Sequence, residues 1–432
     1  MKPIKFRNVW LWVILALGFT LRLWGIGFGL PDLFHADEPI VVNHAMAYGT
    51  GDFNPHFFKI PPLTSYFLFF CYGIYFLAGQ LLGWIANADE FGKFFLTNPS
   101  SFYLLGRVLL GALTGTVTIY LIFRLLEKNF SRTHGYLAAF FLATAFLHVR
   151  DSHYIYADIP LLLVLVACFF PIFRILEREK WIDYLTFGIL AGVAVATKYN
   201  GVFIFVPFLM THFWRKASFF HLLVASVVSF LTFAACNPFS LLDWRFFLNE
   251  LITQGGSQGY AGFGHHLFYS LLGGLGFPLW FAALAGLMLA LFRRDRKRLL
   301  FAVFFVIYYC PVLVLASQPY DRYVLPLLPL AVFFAADSFL ELLNRFRPTR
   351  VVLVLVALLC ASPSLAKAIL VDHLLSQTDI RTLARGWVEA NIPPGSKLAL
   401  DTPFFMPRLK AAVAQLEEKK KGSFTKKVIQ PL

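Results

Sequence analysis

The residues best placed to do chemistry in this chain are His35-Ala-Asp37-Glu38-Pro39, a polar loop directly after the first long apolar run. Two adjacent carboxylates beside a membrane span are costly to keep ionised unless water, a cation or a reaction holds them there. A solvated pair of loop acids is the plain alternative. The surroundings favour a reaction centre: His35 precedes the pair, and Asn54-Pro-His-Phe-Phe-Lys59-Ile-Pro-Pro62 closes the same loop with a cation and two prolines that fix the backbone.

A second polar stretch, Arg150-Asp-Ser-His153-Tyr-Ile-Tyr-Ala-Asp158-Ile-Pro160, packs acids, a histidine and an arginine between two apolar runs. Asp158 stands at the mouth of the following run, where it could cap a helix or face Asp37 as a second carboxylate. Three further cations lie at or near the ends of apolar runs: Arg107, Lys198 in Thr197-Lys-Tyr-Asn-Gly201, and Arg322 in Tyr320-Asp-Arg-Tyr323-Val-Leu-Pro326. Each alone could be a cation snorkelling from a helix end. Converging on one face with Lys59, His153 and Tyr323, they would make a phosphate site, because Arg forks and Lys point charges are the usual phosphate partners. Asp37 and Asp158 could also share a divalent ion such as Mg²⁺ or Mn²⁺ through oxygen ligands. The stretch from Asn237 to Trp244 reads as structural. The sequence contains no HExxH, Walker A loop or dinucleotide-binding glycine pattern.

These side chains have to be positioned by a membrane scaffold. The 432 residues are 58% hydrophobic and only 14% charged, with a mean hydropathy of +0.67, whereas a soluble domain carries about 25% charged residues. The five cysteines fall inside apolar runs and read as small buried hydrophobes, with no disulfide or metal spacing. A formal charge of +14 reports membrane orientation before it reports nucleic acid, for which nothing else argues.

Twelve apolar runs stand out: 9–29, 62–85, 103–123, 136–148, 159–176, 182–197, 201–214, 219–236, 266–292, 299–316, 324–342 and 350–367. Arg22-Leu23-Trp24 follows the apolar stretch Val9–Leu21 where a signal cleavage site would need small residues, so the first run is expected to be a retained span. Half of the 38 Lys and Arg residues sit in six clusters, at the N-terminus, 124–132, 174–180, 215–216, 293–298 and 345–350. All six fall on the cytoplasmic side if 62–85, which opens on Pro61-Pro62 and contains three glycines, lies as a helical hairpin in the interface. About eleven transmembrane helices then remain, in an all-α polytopic fold with the N-terminus cytoplasmic and the C-terminus external. Only seven of the 24 acids would be cytoplasmic, which concentrates carboxylates on the face of Asp37.

Residues 1–367 are expected to form the membrane domain, with a large external loop over about 30–102, and 368–432 a short external segment. In that segment Asp379 to Ala390 reads as an amphipathic helix, Lys397 to Asp401 as the start of a strand, and the last stretch, through Lys419-Lys-Lys421, as helical and basic. The segment looks like the stub of a domain.

The ordered set Gly29-Leu-Pro-Asp-Leu-Phe-His-Ala-Asp-Glu-Pro39, Asn54-Pro-His-Phe-Phe58, Pro61-Pro-Leu63, Ser152-His-Tyr154, Asp158-Ile-Pro160, Thr197-Lys-Tyr-Asn-Gly201 and Arg322-Tyr-Val-Leu-Pro326 resembles the GT-C superfamily. The likeness is to dolichyl-phosphate-mannose protein mannosyltransferases and bacterial aminoarabinose lipid A transferases, and it runs from about residue 9 to 400. The resemblance implies a helical bundle with interfacial helices in the first external loop. It implies an inverting glycosyltransferase of the plasma (bacterial inner) membrane that moves a sugar from a polyprenyl-phosphate donor to a glycan, lipid or protein acceptor on the external face. By position, Asp37 resembles the catalytic base, Glu38 its paired acid and Arg107 the arginine opening the following span. Lys59 is a looser match, because the order here is Lys-Ile-Pro-Pro. The competing reading is a secondary transporter or lipid flippase, which would place its charges near mid-bilayer in broken helices of two related halves.

Overall fold

The computed structural model describes residues 8–254, 263–314, 319–346, 349–393, 395–399, 407 and 409. The described residues contain no strand. The helices run in order α1 (Val9–Leu23), α2 (Glu38–Ala47), α3 (Leu63–Leu81), α4 (Ala88–Thr97), α5 (Ser100–Asn129), α6 (Arg132–Thr144), α7 (Phe146–Asp151), α8 (Asp158–Glu177) and α9 (Trp181–Thr197). A 3-10 turn, Tyr199–Ile204, leads into α10 (Phe205–Arg215), α11 (Phe219–Cys236), α12 (Phe239–Leu242), α13 (Trp244–Gln254), α14 (263–275), α15 (Phe277–Phe292) and α16 (Arg296–Tyr308). A second 3-10 turn, Asp321–Leu327, precedes α17 (Leu328–Asn344), α18 (Arg350–Leu375) and α19 (Ile380–Asn391).

Among the described residues six helical stretches are long and apolar enough to cross a membrane: Leu63–Leu81, Ser100–Asn129, Asp158–Glu177, Phe219–Cys236, Asp321–Leu343 and Val351–Asn391. The pair α15 and α16 passes the same test together but bends by 119°, and α1 and α9 are shorter apolar helices. This is an integral membrane protein. With no water in the hydrocarbon, each span must satisfy its backbone internally, which is why apolar runs become helices here.

The main core is built by α5, α6, α8, α9, α15, α16 and α17, with Phe123, Phe141, Phe173, Tyr184, Phe301 and Phe333 fully enclosed. A second, smaller core joins α2, α3, α4 and the start of α5 around Tyr72, Phe102 and Tyr103. It ties the loop carrying Asp37 to the bundle.

Several boundaries differ from the sequence reading. Within segment 62–85 the helix α3 runs unbroken over Leu63–Leu81, and the hairpin turn comes at 82–87, with α4 as its second arm. Gly73 and Gly79 do not interrupt it. A helical glycine costs about 1 kcal/mol, and at Gly79 the missing side chain lets Trp84 and Ile85 fold back. Run 266–292 is two helices, parted at Gly276, whose φ of +77° suits glycine. Run 350–367 continues to Leu375. The expected helix after Asp379 is α19, with the Asp379 side chain accepting the Arg381 N–H. Lys397 to Ala399 form no strand, there being none to pair with among the described residues, and Leu400, Asp401 and the basic stretch at Lys419 lie outside those residues. Only Cys168 among the cysteines is buried, and Cys310 is exposed: in a membrane domain an apolar run faces lipid as well as protein.

The ends of α5, α8 and α15 meet the starts of α6, α9 and α16, and the basic clusters 124–132, 174–180 and 293–298 lie there. Lys297 bonds Glu177 and Asn129, while Asp337 receives Arg298 at 2.7 and 2.9 Å and His134 at 3.1 Å. A cavity of about 460 Å³ opens among these residues. It lies at the opposite end of the bundle from Asp37, and its Arg293 and Arg298 are already paired with Glu341 and Asp337.

Candidate active site

Asp37 is the residue preceding α2, where an aspartate would ordinarily cap the helix, yet its carboxylate makes no capping bond. It pairs with Arg322, 285 residues away in sequence. Pro39 supplies the preset helical start instead. His35 lies over Tyr154 with ring centroids 4.2 Å apart and accepts the Asp37 N–H, so the loop enters α2 in one orientation. Burial holds the His35 imidazole below its usual range, and a neutral ring is what this stacked position accommodates.

Arg322 is held from behind. Its neighbour Asp321 accepts bonds from Ser270 at 2.9 Å and Arg150 at 3.3 Å. The guanidinium lies 4.7 Å from the ring centroids of both Tyr156 and Tyr320, a sandwich that favours a planar cation. Among the described residues its Nε is buried with no hydrogen-bond partner.

Asp158 opens α8 but does not cap it either: the Lys198 ammonium donates to Oδ1 at 2.6 Å, with Asp158 only 3% exposed. Oδ2 is buried and has no partner among the described residues. Lys198 sits 5.7 Å from the Tyr156 ring and 5.5 Å from Tyr323. Tyr156 therefore has both Arg322 and Lys198 over its ring, and the pairs Asp37–Arg322 and Asp158–Lys198 share one wall. A buried donor and a buried acceptor left open in the same cluster are what a polar substrate would satisfy.

Two close approaches fix this geometry. A Cβ on Gly111 would stand 2.1 Å from the Ser152 carbonyl oxygen, so α5 and the 152–158 loop touch backbone to backbone. A Cβ on Gly201 would stand 2.5 Å from Ala194, which is how the Lys198 turn folds back on α9.

Glu38 and Arg107 form a different kind of pair. Arg107 Nε and Nη2 donate to the two Glu38 oxygens at 2.8 and 2.7 Å, and Nη1 donates to the carbonyls of Ile26 and Phe28. The Ile155 N–H donates to Glu38, and the Phe28 ring covers the guanidinium at 3.9 Å. Both side chains have zero exposure. Arg107 is expected from the sequence to bind phosphate and Glu38 to take part in the reaction; as they lie, the Arg107 fork is closed on Glu38 and two carbonyls, a position that clamps three loops together.

His153, also expected at the phosphate, places its ring nitrogens 3.0 Å from the carbonyls of Val149 and Trp24, to one of which the neutral ring can donate, and lies 3.6 Å from Asp372; burial keeps its imidazole below the usual histidine value. Lys59 is exposed on the loop 54–62. The neighbouring Phe58 is fully buried, its N–H on Glu250 and its carbonyl accepting the Tyr199 hydroxyl, so that loop docks beside Lys198. Asn237 and Ser240 are buried, as a structural role requires.

Tyr156 and Tyr320 are the site residues that spacing alone did not single out. The alternation Tyr154-Ile155-Tyr156 held the signal, since the three side chains go to His35, the core and Arg322 in turn.

As a fit test for a divalent ion, each carboxylate already carries its own cation. Among the described residues no group of three His, Cys, Asp or Glu side chains converges to hold a metal. Asp37 and Asp158 as they stand do not form such a site.

Asp151, at the end of α7, sits in the same network. Burial pushes its carboxyl up from 3.8 to about 6, against the pull of Arg150. A carboxyl that holds its proton more tightly when folded contributes stability at low pH and loses it as pH rises through about 6. Asp151→Asn should flatten the pH dependence of the thermal midpoint between the two values; an unchanged slope would show that Asp151 does not titrate there.

Residues 101–241 match the family model of the dolichyl-phosphate-mannose-protein mannosyltransferases. No curated protein matches the sequence significantly. Among solved structures, ArnT from Cupriavidus metallidurans bound to undecaprenyl phosphate superposes with a TM-score of 0.56 at 17% identity, covering 77% of this chain and 60% of ArnT. The apo Archaeoglobus fulgidus oligosaccharyltransferase gives 0.57 at 13% identity, over 95% of this chain and 62% of its own. AglB from the same organism, in complex with an inhibitory peptide and a dolichol-phosphate, gives 0.52 at 13% identity, over 94% and 62%. This chain thus spans about three fifths of the length of those proteins. Helical architecture, the matched segment and these superpositions agree: the chain has the GT-C membrane fold, the fold of ArnT and AglB.

Proposed function

We propose that this protein transfers a sugar from a polyprenyl-phosphate donor to an acceptor hydroxyl or amine, with inversion, on the face that carries Asp37. The observation that carries the reading is the Asp37–Arg322 pair, set against Asp158–Lys198 on the shared wall of Tyr156. Undecaprenyl phosphate in the ArnT structure and dolichol-phosphate in that of AglB, on the same fold, support a lipid-phosphate donor.

In this reading the donor phosphate approaches Arg322 and Lys198, the two cations over the Tyr156 ring. A phosphate offers Arg322 more acceptor oxygens than one carboxylate, and the open Nε gives it a further donor. Arg322 then turns to the phosphate and Asp37 is released to the acceptor. Asp37 takes the acceptor proton as the oxygen or nitrogen attacks the anomeric carbon. The bond from that carbon to the phosphate oxygen breaks, and the charge on the leaving phosphate is stabilised by Arg322 and Lys198. Inversion follows from a single displacement. Lys59, on the rim, meets the donor as it enters. Glu38 and Arg107 hold the loop of Asp37 in place without touching the substrate.

The test is product formation by the purified full chain in lipid with a synthetic polyprenyl-phosphate sugar and a panel of glycan, lipid A and peptide acceptors. Appearance of the glycosylated acceptor with the opposite anomeric configuration supports the reading. Donor consumed across the bilayer without new glycoside would support a flippase in its place. Because both carboxylates already carry a cation, exhaustive chelation should leave the rate unchanged within experimental error; loss of activity restored by Mg²⁺ or Mn²⁺ would instead show that Asp37 and Asp158 rearrange around a metal.

A further inference from the structure

The helix α19 is amphipathic in an inverted sense. The polar side chains Arg381, Thr382 and Arg385 turn toward the protein. Arg385 pairs with Asp32, Thr382 donates to the same carboxylate at 2.9 Å, and Arg381 lies 4.0 Å over the Phe34 ring. Arg381 is also held by Asp379 at 2.6 Å. Asp32 itself is 8% exposed. The apolar side chains point away: Ile380, Leu383 and Trp387, spaced three and four residues apart on one face, are 79%, 59% and 61% exposed.

In water this arrangement is unfavourable, because a helix packed against a globule buries its apolar stripe and shows its charges. It becomes favourable where the outward medium is apolar. That medium is adjacent, since α18 ends only four residues before α19 begins. The last turns of that span expose Leu370 and Leu374 at 58% and 59%. A span's exposed leucines face lipid, and Ile380, Leu383 and Trp387 follow them in the helical stretch Val351–Asn391. Amphipathic helices at a membrane seat their apolar face at the headgroup and acyl boundary, and tryptophan is the residue that prefers that depth.

We infer that α19 is a membrane-interface arm: its apolar face is seated in the lipid leaflet on the Asp37 side, while its polar face grips the 32–34 loop. Arg381 and Arg385 are spent on Phe34, Asp379 and Asp32. Seating is therefore driven by apolar burial and does not require anionic lipid. The gripped residues lie three to five positions before Asp37, so leaflet contact and the placement of the carboxylate are mechanically linked. The inference needs only the membrane fold and is independent of the reaction assigned above.

The experiment uses the full chain in nanodiscs made from lipid brominated high in the acyl chain, with the parent compared to Trp387→Phe. The emission lost in the variant should be blue-shifted and at least halved by bromine, equally in zwitterionic and anionic discs. In the Trp387→Phe background, Leu383→Trp, one turn away on the same face, should restore the quenched component. A red-shifted difference quenched by aqueous iodide would overturn the inference by showing that the face meets water. A blue-shifted difference insensitive to bromine would overturn it too, since protein, either residues 400–432 or a second copy, would then cover the face.

Discussion

Asp37→Asn is expected to lower the rate of sugar transfer by about a thousandfold, within the usual range for loss of a general base, while the lipid donor still binds. Asparagine keeps the size of the side chain and can still accept a hydrogen bond from Arg322. It cannot take a proton from the acceptor. Arg322 no longer has to leave a carboxylate to reach the phosphate, so donor affinity should hold or rise. The measurement is a pair: single-turnover transfer, and equilibrium binding of the polyprenyl phosphate, on the same preparation. Turnover within tenfold of the parent would remove Asp37 as the base. Loss of donor binding together with the rate would move it from proton transfer to substrate recognition. Because Asp37 is one quarter exposed and leaves its capping duty unused, the substitution carries little structural penalty, and a large rate effect can be assigned to chemistry.

The helical membrane fold was legible because hydrocarbon leaves the chain little choice: an apolar run becomes a helix, and its basic ends collect on one side. The gathering of Lys297, Arg298, His134, Glu177 and Asp337 at one end of the bundle is that rule in three dimensions. Boundaries were less legible. Gly276 ends a helix while Gly73 does not, and what separates them is tertiary packing, which composition does not encode.

At the site, residue types identified which charges matter, and the convergence of Asp37, Asp158, Lys198 and Arg322 followed from their placement at run ends on one face. The roles within the set did not follow. A carboxylate beside another carboxylate reads the same in sequence whether it faces a substrate or an arginine. Only the fold shows that Asp37 looks toward Tyr156 and Arg322, and that Glu38, one residue on and turned about the helix start, looks inward. His153 shows the same limit. It sits among polar neighbours in sequence, and the turn after Asp151 carries it toward Trp24 and Asp372. Tyr156 was hidden for the opposite reason, because an aromatic in a membrane protein with 50 phenylalanines reads as lipid contact until two cations are found over it.

Glu38 provides the sharpest separation between holding the site and performing the reaction. Glu38→Ala leaves the Arg107 guanidinium buried with no counter-charge and orphans the Ile155 N–H, and removing one partner of such a pair costs roughly 3–5 kcal/mol. The expected result is a steep fall in thermal midpoint and poor recovery of folded protein, with transfer falling in proportion to the folded fraction. Glu38→Gln keeps the side-chain shape, still accepts the Ile155 N–H and offers Arg107 one oxygen, so it should recover part of the stability. A Glu38→Leu, Arg107→Met pair removes both charges at similar volume, and its cost should fall well below the sum of the single losses. Recovery will stay incomplete, because the carbonyls of Ile26 and Phe28 lose the donors that Arg107 gives them. Thermal unfolding and transfer measured side by side across these variants decide the matter. If activity per folded molecule tracks stability and survives in the double variant, Glu38 and Arg107 act by fixing the Asp37 loop. If Glu38→Gln folds like the parent yet loses turnover, the buried pair opens during the cycle and Glu38 takes part in the reaction itself.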